Sequence, residues 1–155
     1  MKQSILPLVR YPDPVLKTVG DKVPSSELET MQKLAKEMTE TMYHARGVGL
    51  AAQQIGKAIQ ICVIDVDGNL HTLINPKITS LSRNMHTDDE GCLSIPGKFF
   101  PIERHWKVTV RYTDENGTEK KMRASGILAR AVQHELDHLN GIVILDRYHE
   151  QRKKR

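Results

Sequence analysis

Three kinds of material are scarce in this chain of 155 residues, and each shortage excludes something. Two cysteines, Cys62 and Cys92, are too few for a disulfide framework. Aromatic residues make up 5% of the chain, and no basic stripe is interleaved with them, so direct nucleic-acid specificity is not expected. No apolar run is long enough to span a bilayer, and Met1–Pro7 carries no signal-peptide core. The chain is therefore expected in the cytoplasm, away from membranes, with both thiols reduced. Internal repeats and low-complexity linkers are missing too, so residues 1–155 are expected to form a single domain. The formal net charge of +4 owes much to Arg152-Lys153-Lys154-Arg155, which reads as a solvated end.

What is present is a patterned α+β sequence. Residues 5–24 are rich in proline and turn formers and are expected to wrap the surface. Ser26 and Glu29 have the spacing of a capping box. Leu28, Met31, Ala35, Met38 and Met42 then recur at helical intervals, the methionines as core filling, until Gly47. Ile59–Val66 reads as a strand that includes Cys62 as a small core residue. A turn at Asp67-Gly68-Asn69 leads into a returning strand over Leu70–Ile74. Trp106–Thr113 and Thr118–Arg123 form a hairpin. Ser125 can cap a final helix that Gly141 ends. On that helix Ile127, Ala131, His134 and His138 share one face, while Leu128, Val132 and Leu139 make a second apolar row. Only Arg130, Gln133, Asp137 and Asn140 form a polar stripe, which marks a central helix packed on more than one side.

The same helix carries His134-Glu135-Leu136-Asp137-His138, an HExxH pattern. Four positions along a helix return to nearly the same face one turn on. Two imidazoles can thus reach one metal ion, with Glu135 beside the point where a metal-bound water would lose its proton. The plain alternative is a charged, histidine-bearing surface helix. A catalytic site of this kind needs three protein ligands and one open position. The run to Gly141 begins like a metzincin protease, but Ile144 stands where the third histidine belongs. A thermolysin-like glutamate would need a later helix; only Glu150 remains, and the chain beyond His138 reads as too short to build one. The third ligand is therefore expected upstream, with Cys92 the strongest candidate and His71, His86 and His105 lesser ones. A structural zinc site is closed by four ligands, and no suitably spaced Cys or His accompanies Cys92.

Three separated segments then converge. Gly47-Val48-Gly49-Leu50-Ala51-Ala52-Gln53-Gln54, Glu90-Gly91-Cys92-Leu93-Ser94 and Gln133-His134-Glu135-Leu136-Asp137-His138-Leu139-Asn140-Gly141 resemble the peptide deformylase family, in its order and approximate spacing. The resemblance runs from the helix after Ser26 through Asp146. It implies antiparallel sheets packed around a central HExxH-bearing helix, with a longer N-terminal helix. It also implies removal of formyl from the formylmethionine that begins nascent peptides. By matching positions, Cys92, His134 and His138 are the implied metal ligands and Glu135 the general base and acid. Gln54 and the Leu93 N–H are the implied donors to the formyl oxygen. One divalent ion per chain is implied, Fe²⁺ in first place, with Zn²⁺, Ni²⁺ or Co²⁺ able to occupy the site.

In this reading Cys92 is a thiolate ligand and not an attacking nucleophile. Val48, Ile127 and Ala131 offer an apolar pocket for methionine, although Val48 and Ile127 suit a core equally well. Gly49 and Gly91 lie on the substrate path, where a missing side chain lets a peptide backbone approach or simply permits a turn. The sequence departs from many relatives at Gly97-Lys98-Phe99-Phe100, where an arginine or tyrosine is usual near the substrate mouth. No long C-terminal helix of the kind used at the ribosome is expected; the basic end retains at most a weak electrostatic contact there. A monomer is expected. Two competing readings are a small metallopeptidase, disfavoured by Ile144, and a non-catalytic binder of formylated N-termini, disfavoured by the intact Glu135.

Overall fold

The computed structural model describes residues 4–154; what was read into Met1–Gln3 and into Arg155 of the basic tail lies outside the described residues. The elements follow as α1 (Leu28–His44), β1 (Gly49–Ala51), β2 (Ile61–Val66), β3 (Asn69–Leu81), β4 (Met85–Cys92), β5 (Ile95–His105), β6 (Lys107–Thr113), β7 (Glu119–Ser125), α2 (Gly126–Leu139) and α3 (Ile144–Lys153). Strands β1-β2-β3-β6-β7 form one antiparallel sheet, and β4 with β5 forms a separate hairpin. This is the expected α+β arrangement, with a long first helix. No helix among the described residues is long and apolar enough to cross a membrane.

Strand β2 explains the layering. Ile61, Cys62, Val63 and Ile64 are all fully buried. Alternation sends Cys62 and Ile64 toward α2, and Ile61 and Val63 toward α1. Helix α1 buries Met31, Leu34, Ala35, Met38 and Met42 on one stripe, so its methionines are core. Helix α2 meets Val108, Val110, Tyr112, Met122 and Ala124 from β6 and β7 with Ala129, Val132, Leu136 and Leu139. A third cluster joins Ile95 and Ile102 of β5 to Ile144 at the start of α3.

Several local expectations are corrected. The Ser26–Glu29 capping box does not form: Ser25–Glu27 make a 3-10 turn, and Glu27 precedes α1 without a side-chain cap. Arg46, not Gly47, takes the left-handed conformation after α1, with φ 59°. Ser125 precedes α2 but its side chain makes no capping bond. Strand β3 runs on to Leu81, and the β4–β5 hairpin places Cys92 at a strand end where a loop was expected. The chain after His138 does build a helix, α3, ten residues long. Residues 5–24 do more than wrap the surface. Leu16 is fully buried, and the segment straps the molecule through Val9 N–H to Gln54 O (2.7 Å), Tyr11 N–H to Ser94 O (2.9 Å) and Gly20 N–H to Leu139 O (2.9 Å).

Gly141 fastens that strap to the end of α2. Its φ is +73°, and a Cβ there would lie 2.6 Å from the Lys17 carbonyl oxygen. Gly141→Ala therefore meets both a backbone clash and a left-handed conformation, and should destabilise the protein by more than ~1 kcal/mol. A urea titration showing an unchanged midpoint would contradict this account of the junction.

Candidate metal centre

Two repeats of different geometry meet at the middle of the molecule. On β4, Glu90 and Cys92 are two residues apart, about 6.7 Å along a strand. On α2, His134 and His138 are four apart, about 6 Å along a helix. Because these rises nearly match, the strand pair faces the helix pair. His134 Nδ1 and Glu90 Oε1 are 2.9 Å apart, and Cys92 Sγ lies 3.3 Å from His138 Nε2. With its Nδ1 engaged, His134 turns Nε2 toward the same space. One donor atom from each of Cys92, His134 and His138 lies within 4.8 Å of the others. A sulfur and two imidazoles are the donor chemistry of a transition-metal site, and a carboxylate behind a histidine is the usual support. The residues fit a metal ion.

Electrostatics agree with that fit. Burial opposes a charge on His134, but Glu135, Cys92 and Glu90 outweigh it and raise its pKa well above the ordinary value. The space before it thus attracts positive charge. Burial, aided by the charges of His134 and Arg104, pushes His138 the other way and keeps it a neutral imidazole. Glu135 is buried, and desolvation pushes its carboxyl up to about 7 against the pull of His134. Its Oε1 has no hydrogen-bond partner among the described residues, and its Oε2 is 3.9 Å from His134 Nε2. A carboxyl balanced near neutrality with a free oxygen can accept and return a proton.

Glu90 was named in the sequence motif without a role, and its setting is the main addition. It accepts from Arg104 Nε (2.8 Å) and Nη2 (2.9 Å), and from Arg130 Nη1 (2.6 Å), besides its bond with His134. Burial works against its charge, but Arg104 and His134 hold its pKa far below the carboxylate range. Arg104 also donates to Asp137, which in turn accepts from Arg147 of α3 at 2.8 and 3.0 Å. Arg130, Gln133 and Asp137 are therefore not a solvated stripe: Gln133 and Asp137 are buried, and only Asn140 of the four is exposed. The available signal was an acidic residue two positions before a candidate ligand on one strand.

Above the centre opens a cleft of about 500 Å³. Val48, Gly49, Gly91, Ile127 and Ala131 line it, together with Gln54 and Leu93. Val48 and Ile127 are 56% and 71% exposed and so belong to its rim and not to the core. The space a Gly49 side chain would take is held by Glu135, whose Cδ would lie 2.8 Å from that Cβ. Likewise a Cβ on Gly91 would meet the Phe99 ring at 2.7 Å. Gln54 is buried between the walls: Oε1 accepts from Ala51 N–H (2.9 Å), while Nε2 reaches Ser94 Oγ (3.2 Å) and Cys92 Sγ (3.5 Å). The lesser ligand candidates lie elsewhere. His105 bonds Ser82 O, His86 stacks edge-on against Trp106, and His71 pairs across from Ile64. Glu150 faces Arg147 and Lys154, and Ile144 is buried in the third cluster.

Comparison with known proteins bears on this arrangement. The family model described as polypeptide deformylase matches residues 5–154. A peptide deformylase of Dictyoglomus thermophilum is 46% identical over 142 residues, covering 92% of either chain. The crystal structure of a peptide deformylase from Synechococcus elongatus in complex with actinonin superposes with a TM-score of 0.89 at 42% identity, covering 96% of this chain and 81% of that one. A Met-Ala-Ser-bound class I type b peptide deformylase from Acinetobacter baumannii gives 0.90 at 32% identity, covering 94% and 99%.

Glu90→Gln should leave the buried Arg104 guanidinium with Asp137 alone, a carboxylate already shared with Arg147, lowering stability by about 3–5 kcal/mol. Replacing Glu90 and Arg104 together with methionine should recover a large part of that loss. Denaturant titration of the two variants beside the original protein checks both statements; a double variant no better than Glu90→Gln would mean the pair is not the cause.

Proposed function

The chain belongs to the polypeptide deformylase family, whose members are hydrolases acting on N-terminal formylmethionine, and from that premise we propose that it removes formyl from newly made peptides by the following chemistry. The observation that carries this reading is the meeting of Cys92, His134 and His138 donor atoms beside the buried Glu135. Those three residues would hold one divalent ion, Fe²⁺ by family, with Zn²⁺, Ni²⁺ and Co²⁺ compatible with the same donors. When bound, the ion supplies Lewis acidity toward water and toward the formyl carbonyl. We take residues 1–155 as one catalytic unit acting as a monomer in the cytoplasm.

Glu135 takes a proton from water as the water oxygen adds to the formyl carbon. Negative charge then grows on the former carbonyl oxygen, beside Gln54 Nε2 and the N–H of Leu93 in the turn between β4 and β5. The C–N bond breaks, Glu135 delivers its proton to the departing amine, and formate leaves. Burial supports this shuttle by bringing the carboxyl near neutrality. Gly49 acts by absence, leaving the volume in which that carboxylate sits. The methionine side chain would rest against Ala131 with Val48 and Ile127 at the rim, and Gly91 would border the peptide backbone. The Met-Ala-Ser bound to the Acinetobacter relative supports a methionine-first peptide in this cleft.

Formate release from a short formyl-Met peptide, with Fe²⁺- or Ni²⁺-loaded protein prepared without oxygen, tests the reaction. An acetylated peptide should not turn over. Glu135→Ala should keep one metal per chain while losing at least about 100-fold in kcat; near-normal turnover would sink the mechanism. Cys92→Ala should lower bound metal per chain, and unchanged metal content would remove Cys92 from the ligand set. Gly49→Ala should displace the Glu135 carboxylate, reducing kcat about 100-fold with metal retained. An equal rate would mean the carboxylate does not need that volume.

A further inference from the structure

The outer face of the large sheet carries a feature that no stretch of sequence displays. The strand register sets Lys77 of β3 opposite Arg111 of β6, and Arg111 opposite Lys121 of β7. Their inward neighbours Val110 and Met122 pack on α2, so these three cations point away from the core and are exposed. Adjacent strands are only about 4.8 Å apart, and like charges directly opposite one another are destabilising. Lys22 of the N-terminal strap joins them around a groove of about 800 Å³, which also contains Thr79 and Thr113. The row continues to Arg123 and Lys107.

None of these cations has a carboxylate within 4.0 Å among the described residues, although Glu119 lines the same groove. The buried charges behind the cleft, Glu90, Arg104, Arg130 and Asp137, are paired; these cations are not. We propose that this face is a docking surface for the phosphodiester backbone of structured RNA. A row of cations across three strands suits a polymer of evenly spaced charges better than a single phosphate. Threonine hydroxyls between the cations can donate to phosphate oxygens. The groove lacks the exposed tryptophan, phenylalanine or leucine that a peripheral protein buries among lipid headgroups. The choice of RNA rests on the proposed substrate, because a newly made chain first appears beside RNA. Binding here is read as independent of base sequence, and it leaves the cleft on the other side of the sheet free.

The test compares two variants of the full chain with equal loss of charge. The face variant is Lys77→Gln, Arg111→Gln and Lys121→Gln; the tail variant is Arg152→Gln, Lys153→Gln and Lys154→Gln. Fluorescence anisotropy with a labelled RNA hairpin, from ~50 to ~200 mM salt, reads affinity and its salt slope. The face variant should bind at least about tenfold more weakly, with the slope reduced by about 2. Its thermal midpoint should stay level or rise, since like charges are removed. The tail variant should bind nearly as well as the original. Hydrolysis of a short formyl-Met peptide should be unchanged in the face variant, so failure of RNA binding and failure of the enzymatic reading are separate results. No binding of the original protein at ~50 mM salt, or loss confined to the tail variant, would overturn the proposal. Tighter binding to a DNA hairpin, or to phosphatidylglycerol vesicles, would overturn the assignment to RNA.

Discussion

The carboxylate of Glu90 sits under the candidate centre with every acceptor position used: two bonds from one guanidinium, one from another, and one shared with an imidazole. A buried charge so surrounded is costly to move, because each displaced partner would be left without compensation. That constraint fixes β4 against α2. It sets the ring orientation of His134, and through the two-residue interval it sets where the sulfur of Cys92 arrives. Arg104 passes the constraint to Asp137 and so to α3, none of whose residues lines the cleft. The shape of the centre is thus held from behind. Its front is free to face a substrate.

The parts legible in the sequence are those whose signal is local. The methionine stripe of α1, the apolar rows of α2 and the β6–β7 hairpin are each written at one period in one segment, and the HExxH interval alone places two imidazoles on one face. The β4–β5 hairpin was not legible, because Met85–Gly91 has no apolar alternation: only Glu90 is buried there, and its burial depends on partners 14 to 44 positions away. Helix α3 was hidden for a similar reason. It buries little beyond Ile144 and is tied down by Arg147 to Asp137 and by the Lys17–Asp146 pair. Polar residues read as solvated unless their partners are known, so Arg130, Gln133 and Asp137 looked like a surface stripe.

Glycines carried a different lesson. From sequence, Gly49 and Gly91 suggest either tight turns or room for a visiting backbone. In the fold, the vacated volume is taken by the protein's own groups, the Glu135 carboxylate in one case and the Phe99 ring in the other. Catalytic geometry can therefore depend on a residue with no functional group. Phe99 is 70% exposed although its ring edge is seated on Gly91, so the cleft presents an aromatic surface at its mouth, along with Val48 and Ile127.

The strap over residues 9–20 gives the site a schedule as well as a shape. It bonds the carbonyls of Gln54 and Ser94, one on either wall of the cleft, and its far end is closed by the carbonyl of Leu139. The ligand candidates themselves are spread from Cys92 to His138. Loops this long must close before any of their contacts can form, which places assembly among the later events of folding. During synthesis Gln54 and Ser94 precede α2, so two of the strap's three partners are made early, while Leu139 arrives on the same helix as His134 and His138. A growing copy therefore lacks two of its three candidate ligands until α2 is made, and the strap's last bond becomes available with them.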